Sequence, residues 1–181
     1  MSKIVCIDPG HSGAIEPGAV CGPYTEAAIV MAIAMDTAAA VQAAGYDVLL
    51  TRRGNIDTDD LQFRSDMANE AAADVFVSIH CNSFTKETAR GVEVFHYPGS
   101  MQGHQLAVGV YLALANEQYT LERGVKTADF AVLRLTDMPA ILVECAFLSN
   151  EEDRAVLTSA AGRQMLARQI AKGIDQYFKE L

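Results

Sequence analysis

Residues 3–13, KIVCIDPGHSG, contain the pattern on which the fold prediction depends. The apolar, β-branched run at residues 4–7 is typical of a buried strand. It ends at Asp8, and the Pro9-Gly10 turn that follows should lift His11 above the end of that strand. The next long segment, residues 25–43, is rich in alanine and has a helical period. Strand, turn and helix therefore follow one another as they do in a βαβ unit.

The same alternation continues to the C-terminus. Strands are predicted at residues 3–8, 46–51, 74–79, 91–96 and 140–144, and helices at 25–43, 60–73, 101–117 and from 151 to near the C-terminus, with a break near Ala161 and Gly162. This pattern predicts an α/β fold with a mostly parallel, twisted sheet of about six strands and helices on both faces. No repeat, linker or change of composition divides the chain, so residues 1–181 are predicted to form a single domain.

Composition and charge exclude several classes of protein. Half of the 181 residues are hydrophobic and 20% are charged, which is typical of a globular chain with a core rather than a disordered or collagen-like one. The formal net charge of −9 repels phosphate backbones and anionic lipid headgroups. We therefore expect no nucleic-acid partner and no membrane-surface partner, and an anionic ligand would need a local site.

The hydropathy pattern suggests neither an export signal nor a membrane span. The apolar run near the N-terminus, residues 4–7, is too short for a secretory leader. The most apolar stretch, residues 27–44, is interrupted by Asp36, Thr37 and Gln42. We interpret it as a buried helix rather than a helix that spans a bilayer.

The four cysteines, Cys6, Cys21, Cys81 and Cys145, show neither a CxxC pair nor the spacing of a zinc ribbon. Three of them lie in apolar, strand-like runs, where cysteine behaves as a small hydrophobic residue. We therefore expect thiols that pack in the core rather than disulfides. Metal ligation and nucleophilic chemistry are the less favoured alternatives.

Three residues whose side chains could bind a metal or transfer a proton stand at or just after the ends of predicted strands. His11 lies in IDPGHSG, His80 in SIHCNS, and Glu144 in PAILVEC. Ligands of open parallel sheets collect beyond the carboxyl ends of the strands, so these three side chains should meet at one edge. Histidines and carboxylates are the donors of catalytic zinc, which keeps a fourth position for water. Neither HExxH nor a phosphate-binding GxGxxG or GxxxxGK motif is present.

Each of these residues also has an ordinary structural explanation. His11 could be a surface residue of a turn, and His80 could be a core residue whose ring nitrogens form hydrogen bonds within the protein. Glu144 could form an ion pair with Arg134 or Lys126. The apolar residues around Glu144 should raise its pKa, because burial disfavours the charged carboxylate.

A further carboxylate could come from either of two residues. Glu26 opens the predicted Ala-rich helix directly after Thr25, a natural N-cap, and acidic residues in a first turn complement the helix dipole. Glu16 lies in the same loop as His11. Spacing alone does not choose between Glu26 and Glu16.

Taken in order, the motifs resemble those of one known family. They are CIDPGHSGAIEPGAV (residues 6–20), Glu26 at the start of a long helix, LLTRR (49–53), LQFRSDMANEAAADVFVSIHCNS (61–83), GVEVF (91–95), GVKTADFAVLRLTDMPAILVECAFLSN (124–150) and the closing Leu-rich helix. This series resembles the zinc-dependent N-acetylmuramoyl-L-alanine amidases of the amidase_3 type. The resemblance covers nearly the whole chain and implies a phosphorylase/hydrolase-like sheet and a single amidase catalytic domain over residues 1–181.

The resemblance also implies roles for individual residues. His11, Glu26 and His80 would bind one Zn²⁺ per chain, and Glu144 would be the catalytic acid and base, which favours Glu26 over Glu16. Four further residues match positions in the family motifs. Arg52, Arg64 and Asn69 are expected to be mainly structural, and Asn82 is expected to shape the site. Ser12, Ala27 and Ala146 depart from the residues common in the family. The connections 84–90 and 97–101 are too short for the helix that plugs the site in some relatives, so an uncovered site is expected.

The substrate implied is the amide that joins the lactyl group of N-acetylmuramic acid to L-Ala of the peptidoglycan stem peptide. The partner would then be peptidoglycan or a muropeptide, and the place of action the cell wall, reached by phage-lysin-like release or with a leader that this chain lacks. Two alternatives stay open: a related zinc carboxypeptidase or peptidase acting on wall peptides, and a non-catalytic domain that binds muropeptides.

Overall fold

The computed structural model describes residues 2–56, 60–115 and 121–181. The strands are β1 Ile4–Pro9, β2 Val20–Cys21, β3 Tyr24–Thr25, β4 Asp47–Leu50, β5 Val75–Asn82, β6 Val92–His96, β7 Glu122–Thr127 and β8 Ala140–Phe147. The helices are α1 Glu26–Ala43, α2 Leu61–Glu70, α3 Met101–Ala115, α4 Ala131–Arg134, α5 Glu151–Thr158 and α6 Ala160–Lys179.

Six of the strands form one sheet in the order β4-β1-β5-β8-β6-β7. All neighbouring pairs are parallel except β6 and β8, which are antiparallel. This confirms the predicted α/β fold with a mostly parallel sheet of about six strands. The small pair β2 and β3 forms a separate antiparallel hairpin just before α1.

Helices cover both faces of the sheet because successive strand residues point to opposite sides. On one face, Ile7, Val77 and Val143 belong to a large apolar cluster with residues of α1, α3 and α6. On the other face, Phe76 and Leu142 pack with residues of α2 and α4 in a smaller cluster. Each fully buried aliphatic side chain of this kind stabilises the fold by about 1.5–3 kcal/mol, as an upper estimate.

Several element boundaries differ from the predictions. β7 was not expected, because its sequence ERGVKT is charged and contains Gly124, as suits a half-exposed strand at the edge of the sheet. The last helix breaks at Ser159, close to the break predicted near Ala161 and Gly162. The Ser159 hydroxyl accepts a hydrogen bond from the Gly162 amide at 3.0 Å and caps α6. The predicted end of α3 at residues 116–117 lies outside the described residues.

Helix α1 is part of the core, as predicted for the Ala-rich stretch. The Thr37 hydroxyl, which interrupts its apolar sequence, is buried and donates to the Ile33 carbonyl at 2.8 Å. By length and composition α1 is nevertheless apolar enough to cross a membrane, and half of it is buried in the fold. A signal sequence near the N-terminus would pass the same test, so the expectation that the chain carries no export signal is not borne out.

The four cysteines form no disulfide, in agreement with the prediction of thiols. Cys6, Cys81 and Cys145 are buried in the sheet, and Cys21 is half-buried. Burial raises the pKa of the thiols of Cys81 and Cys145, which disfavours the reactive thiolate. Packing therefore accounts for these residues better than nucleophilic chemistry does.

Candidate metal centre

Three of the predicted site residues converge at the carboxyl edge of the sheet. His11 follows β1, His80 lies near the end of β5, and Glu26 is the first residue of α1. One donor atom from each lies within 4.8 Å of the other two. Glu26 Oε1 is 2.9 Å from His11 Nε2 and 3.0 Å from His80 Nδ1. The fold therefore gathers two imidazoles and a carboxylate from distant parts of the chain.

Two buried arginines hold the turn that carries His11. His11 has a φ of 63°, a left-handed conformation that costs energy for a residue with a Cβ. Arg64 donates to the His11 carbonyl at 2.6 Å and to the Pro9 carbonyl at 2.8 Å. Arg52 donates to the Gly10 carbonyl at 2.7 Å. These bonds satisfy the buried carbonyls of the turn and offset its strain.

A buried carboxylate lies beneath this turn. Asp8 Oδ1 accepts from Arg64 and from the Thr51 hydroxyl, both at 2.6 Å, and Oδ2 accepts from the Ser78 hydroxyl at 2.7 Å. Burial alone would raise the pKa of Asp8, but the Arg64 charge and these hydrogen bonds outweigh it and the pKa lies below its ordinary value. Asp8 is thus a charged anchor for Arg64.

The other predicted structural residues also make structural contacts. Arg52 joins the His11 turn to α1, because it donates to the Ala27 carbonyl at 3.0 Å. Asn69 links α2 to the segment after α4, since its amide donates to the Leu135 carbonyl and its carbonyl accepts from the Asp137 amide, both at 2.9 Å. These contacts agree with the roles that were expected for Arg52, Arg64 and Asn69.

Glu26 does more than complement the dipole of α1, because its carboxylate is buried and accepts several hydrogen bonds. Its carboxylate is buried, and Oε1 accepts from the Cys81 amide at 3.0 Å while Oε2 accepts from the Ala19 amide at 3.0 Å. Thr25 occupies the N-cap position but makes no side-chain cap bond. Burial would raise the pKa of Glu26, but the bonds from His11 and His80 lower it overall. The carboxylate therefore stays charged and fixed between the two imidazoles.

Glu16, the rival carboxylate, contacts the opposite side of the His11 ring. Its Oε2 meets His11 Nδ1, whereas Glu26 faces Nε2. Burial lowers the pKa of His11, but the hydrogen bonds and charges of Glu26 and Glu16 raise it to about 9. A carboxylate on the second ring nitrogen fixes the tautomer and orientation of a metal-binding histidine. Glu16 is therefore placed to orient His11, a role that the sequence did not indicate.

Two glycines allow this close packing of donors. A Cβ on Gly18, which has a φ of 69°, would lie 2.6 Å from His11 Cδ2 and 2.7 Å from Glu26 Oε2. A Cβ on Gly10 would overlap the imidazole ring of His80. Larger residues at either position would displace a donor.

Glu144 lies next to the three donors. It is directly opposite His80 in the register of β5 and β8. Its Oε2 is shielded from solvent and has no hydrogen-bond partner among the described residues. The ion pairs considered for it are not formed: Arg134 contacts Asp129, and Lys126 contacts Glu93. Burial raises the pKa of Glu144 to about 7, with Glu26 and Glu93 adding to the effect and the two histidines opposing it.

A cavity of about 320 Å³ opens over this edge of the sheet. Its polar wall comes from the charged and imidazole side chains, and its apolar wall from residues of α2, α4 and β8. The lining includes His11, Glu16, Arg64, His80, Glu144, Leu61, Phe130, Val132 and Leu142. Residues 84–90 and 97–100 contain no helix, and Met101, the last residue of the second connection, begins α3.

Comparison with known proteins identifies relatives along nearly the whole chain. The sequence model of the Amidase_3 family, described as N-acetylmuramoyl-L-alanine amidase, matches residues 5–176. The amidase AmiC of Neisseria meningitidis is 33% identical over 96% of this chain and 52% of its own length. LytC of Bacillus subtilis, also named an N-acetylmuramoyl-L-alanine amidase, is 33% identical over 99% of this chain and 36% of its own length.

A solved structure agrees with the fold. The amidase AmiC2 of Nostoc punctiforme superposes with a TM-score of 0.92 at 34% identity, covering 98% of this chain and 97% of that one. The chain spans about half or less of the length of the two curated relatives above.

Proposed function

This chain belongs to the N-acetylmuramoyl-L-alanine amidase family, and on that premise we propose that it is a zinc-dependent hydrolase of the amide between the lactyl group of N-acetylmuramic acid and L-Ala of the stem peptide. Residues 1–181 would form one catalytic domain that acts on peptidoglycan or muropeptides of the cell wall. The convergence of His11, Glu26 and His80 beside Glu144 carries the proposal.

The donor set fits zinc. Two imidazoles and one carboxylate are the ligands of several zinc hydrolases, which leave the fourth position open. His11 Nε2 is shielded from solvent and faces Glu26 Oε1 at 2.9 Å, so the two atoms can both serve as ligands of a cation held between them. When bound, zinc would supply a Lewis acid that polarises the substrate carbonyl and makes water more acidic.

Glu144 would move the proton in this reaction. Its unpartnered Oε2 can accept a proton from the attacking water as the water oxygen bonds to the carbonyl carbon. The C–N bond then breaks, and the same oxygen returns the proton to the departing L-Ala nitrogen. The products are the lactyl carboxylic acid, which then ionises, and the free amine of L-Ala. Burial raises the pKa of Glu144, which makes it a stronger proton acceptor than an exposed glutamate.

Other residues would position the reacting groups. Arg64 and Glu16 hold the backbone and the ring of His11. Phe130, Val132 and Leu142 form an apolar wall that limits water around Glu144. Electrostatic interactions in such a partly dry site are stronger than in bulk water.

Defined muropeptides, incubated with the purified chain with and without added zinc, test the proposal. We expect new L-Ala amino termini with intact glycan, and loss of turnover in a chelator that zinc restores. New carboxyl termini of D-amino acids would show a carboxypeptidase instead, and binding without cleavage would show a muropeptide-binding domain. Full turnover after thorough metal removal would contradict the zinc mechanism.

The variant Glu144→Gln tests the proton role. We expect it to retain zinc and to lose turnover by about 10²–10⁴-fold, because the amide cannot accept the proton. Glu70→Gln, at an exposed carboxylate at the end of α2, is the matched control and should keep wild-type turnover. Glu144→Gln with unchanged turnover would remove Glu144 from the mechanism.

A further inference from the structure

A row of charged side chains crosses the sheet from the metal donors to its far edge. His80 on β5 is opposite Glu144 on β8, and Glu144 is opposite Glu93 on β6. Beyond Glu93, the edge strand β7 contributes Arg123 and Lys126, and both contact the Glu93 carboxylate. In the sequence Lys126 was considered only as an ion-pair partner of Glu144, and Arg123 was not singled out.

Arg123, Lys126 and Glu93 form what we call the basic cluster. The Glu93 side chain is only 5% exposed, whereas those of Arg123 and Lys126 are 33% and 39% exposed. Lys126 Nζ lies 3.0 Å from Glu93 Oε1, the same oxygen that Arg123 contacts. Among the described residues, two cations thus share one carboxylate, and the cluster carries a surplus positive charge.

Aromatic rings hold the two cationic groups in place. The Arg123 guanidinium lies over the ring of Phe147 at 5.1 Å from its centroid. Lys126 Nζ lies 5.9 Å from the centroid of Phe95. Such contacts leave N–H donors available while they restrict the side chain. The cations are therefore partly ordered before any ligand arrives.

The basic cluster lines a cleft of about 280 Å³. Asn82, Phe84, Ala89 and Phe147 complete its walls, and Phe84 is 56% exposed. Asn82 is two residues after His80, so the cleft lies at the same edge of the sheet as the metal donors. In a chain with a net charge of −9, this is a local site of opposite sign that can hold an anion.

We propose that this cleft binds a carboxylate of the stem peptide on the leaving-group side of the scissile amide. The inference rests on the proposed function, which puts that amide beside Glu144. Strands are about 4.8 Å apart, so β7 lies roughly 10 Å from β8, or about three residues of extended peptide. The ligand is therefore a carboxylate carried by the second or third residue of the stem, counted from L-Ala.

The alternative is that the two cations only neutralise Glu93. One cation is sufficient for that purpose, whereas Glu93 Oε1 has two, and both are at least a third exposed. Lys126→Gln leaves Arg123 in contact with Glu93, so the buried carboxylate keeps a partner. Lys172→Gln, at an exposed lysine of α6, makes the same change of charge elsewhere.

The test compares two muropeptides with the same stem sequence. In the acidic form, the carboxylates carried by the second and third stem residues, whether side-chain or α-carboxylates, are free. In the other form, the same groups are amidated. The wild-type chain should cleave the acidic form with roughly threefold to tenfold higher kcat/KM, the range of a partly exposed charge-assisted pair. Lys126→Gln should bring the ratio close to one, mainly through KM, and Lys126→Arg should restore it. Lys172→Gln should keep the wild-type ratio. Equal rates for both forms in the wild type, or an unchanged ratio in Lys126→Gln, would overturn the inference.

Direct binding separates this inference from the proposed function. The free stem tripeptide, acidic or amidated, is titrated calorimetrically into the wild-type chain and into Lys126→Gln. Tighter binding of the acidic tripeptide by the wild type alone supports the cleft even if neither muropeptide is cleaved, in which case only the amidase proposal fails. If the wild type cleaves both muropeptides at the same rate and binds both tripeptides equally, the amidase proposal stands and the proposed binding of a carboxylate in the cleft is rejected.

Discussion

Replacing Arg64 with methionine should affect stability and metal affinity through two separate contacts. Arg64 and Asp8 are 2% and 1% exposed, and their side chains meet at 2.6 Å. Removal of the guanidinium leaves a buried carboxylate without its cation, which costs about 3–5 kcal/mol. Since a domain is typically stable by about 5–15 kcal/mol, Arg64→Met should lose a large share of its free energy of unfolding.

The second contact of Arg64 is its 2.6 Å bond to the His11 carbonyl. Without it, the left-handed turn at His11 loses one of the interactions that hold it, so the imidazole is less well aimed at the other donors. Loss of a residue that orients a metal ligand typically lowers metal affinity by about 10–100-fold. Zinc affinity is measured by competition with a chromophoric chelator, and stability by urea unfolding of the metal-free chain.

The double variant Asp8→Asn/Arg64→Met separates the two effects. Asparagine removes the unpaired charge, so most of the lost stability should return, whereas zinc affinity should stay low because the bond to the His11 carbonyl is still missing. Arg168→Met, at an exposed arginine of α6, is the control and should change stability by less than about 0.5 kcal/mol. If Arg64→Met, or the double variant where the single one does not fold, binds zinc as tightly as the wild type, the positioning argument is refuted.

Three further predictions follow from the same geometry. Glu26→Ala should abolish zinc binding, whereas Glu16→Gln should weaken it by about tenfold, because Glu16 only orients His11; equilibrium dialysis that finds full affinity in Glu26→Ala would make Glu16 the ligand instead. Gly10→Ala should lower zinc affinity and stability, since its Cβ would overlap the His80 ring; Gly54→Ala, where a Cβ meets nothing within 4 Å and φ is not positive either, is the matched control, and equal losses in zinc affinity in both variants would contradict the steric argument. In acid, Asp8 should limit stability: its pKa is lower in the folded chain than its ordinary value of 3.8, so its stabilisation is present above that value and disappears as the pH falls through the folded pKa. The free energies of unfolding of wild type and Asp8→Asn, measured in urea at a series of pH values, should therefore converge at low pH. A difference between them that stays constant down to pH 2 would contradict this account.

Much of the fold follows from local sequence patterns, and the parts that do not have physical reasons. β1, β5 and β8 are mostly buried, so their apolar runs stand out. His11 follows β1 as predicted, whereas β5 and β8 continue two and three residues beyond His80 and Glu144. The direction of β6 is a tertiary property, because an antiparallel neighbour of β8 has the same apolar composition as a parallel one. β7 is an edge strand, and its charged residues resemble a loop.

The choice between Glu26 and Glu16 was also beyond local reasoning. Both lie within one loop and helix start, and only the path of residues 12–25 decides which carboxylate faces which nitrogen of His11. The family resemblance favoured Glu26, and it is Glu26 whose carboxylate lies close to both His11 and His80. The contact between β7 cations and Glu93 depends on strand pairing between segments that are far apart in sequence, so no motif could have indicated it.

The position of β8 has a consequence for biosynthesis. It is the last strand in the chain, yet it inserts between β5 and β6, which were translated long before it. Until residues 140–147 leave the ribosome, β5 and β6 each present an unpaired edge that can join to another chain. Glu144 arrives with the same strand, so residues 1–139 alone lack the carboxylate to which the proton transfer is assigned.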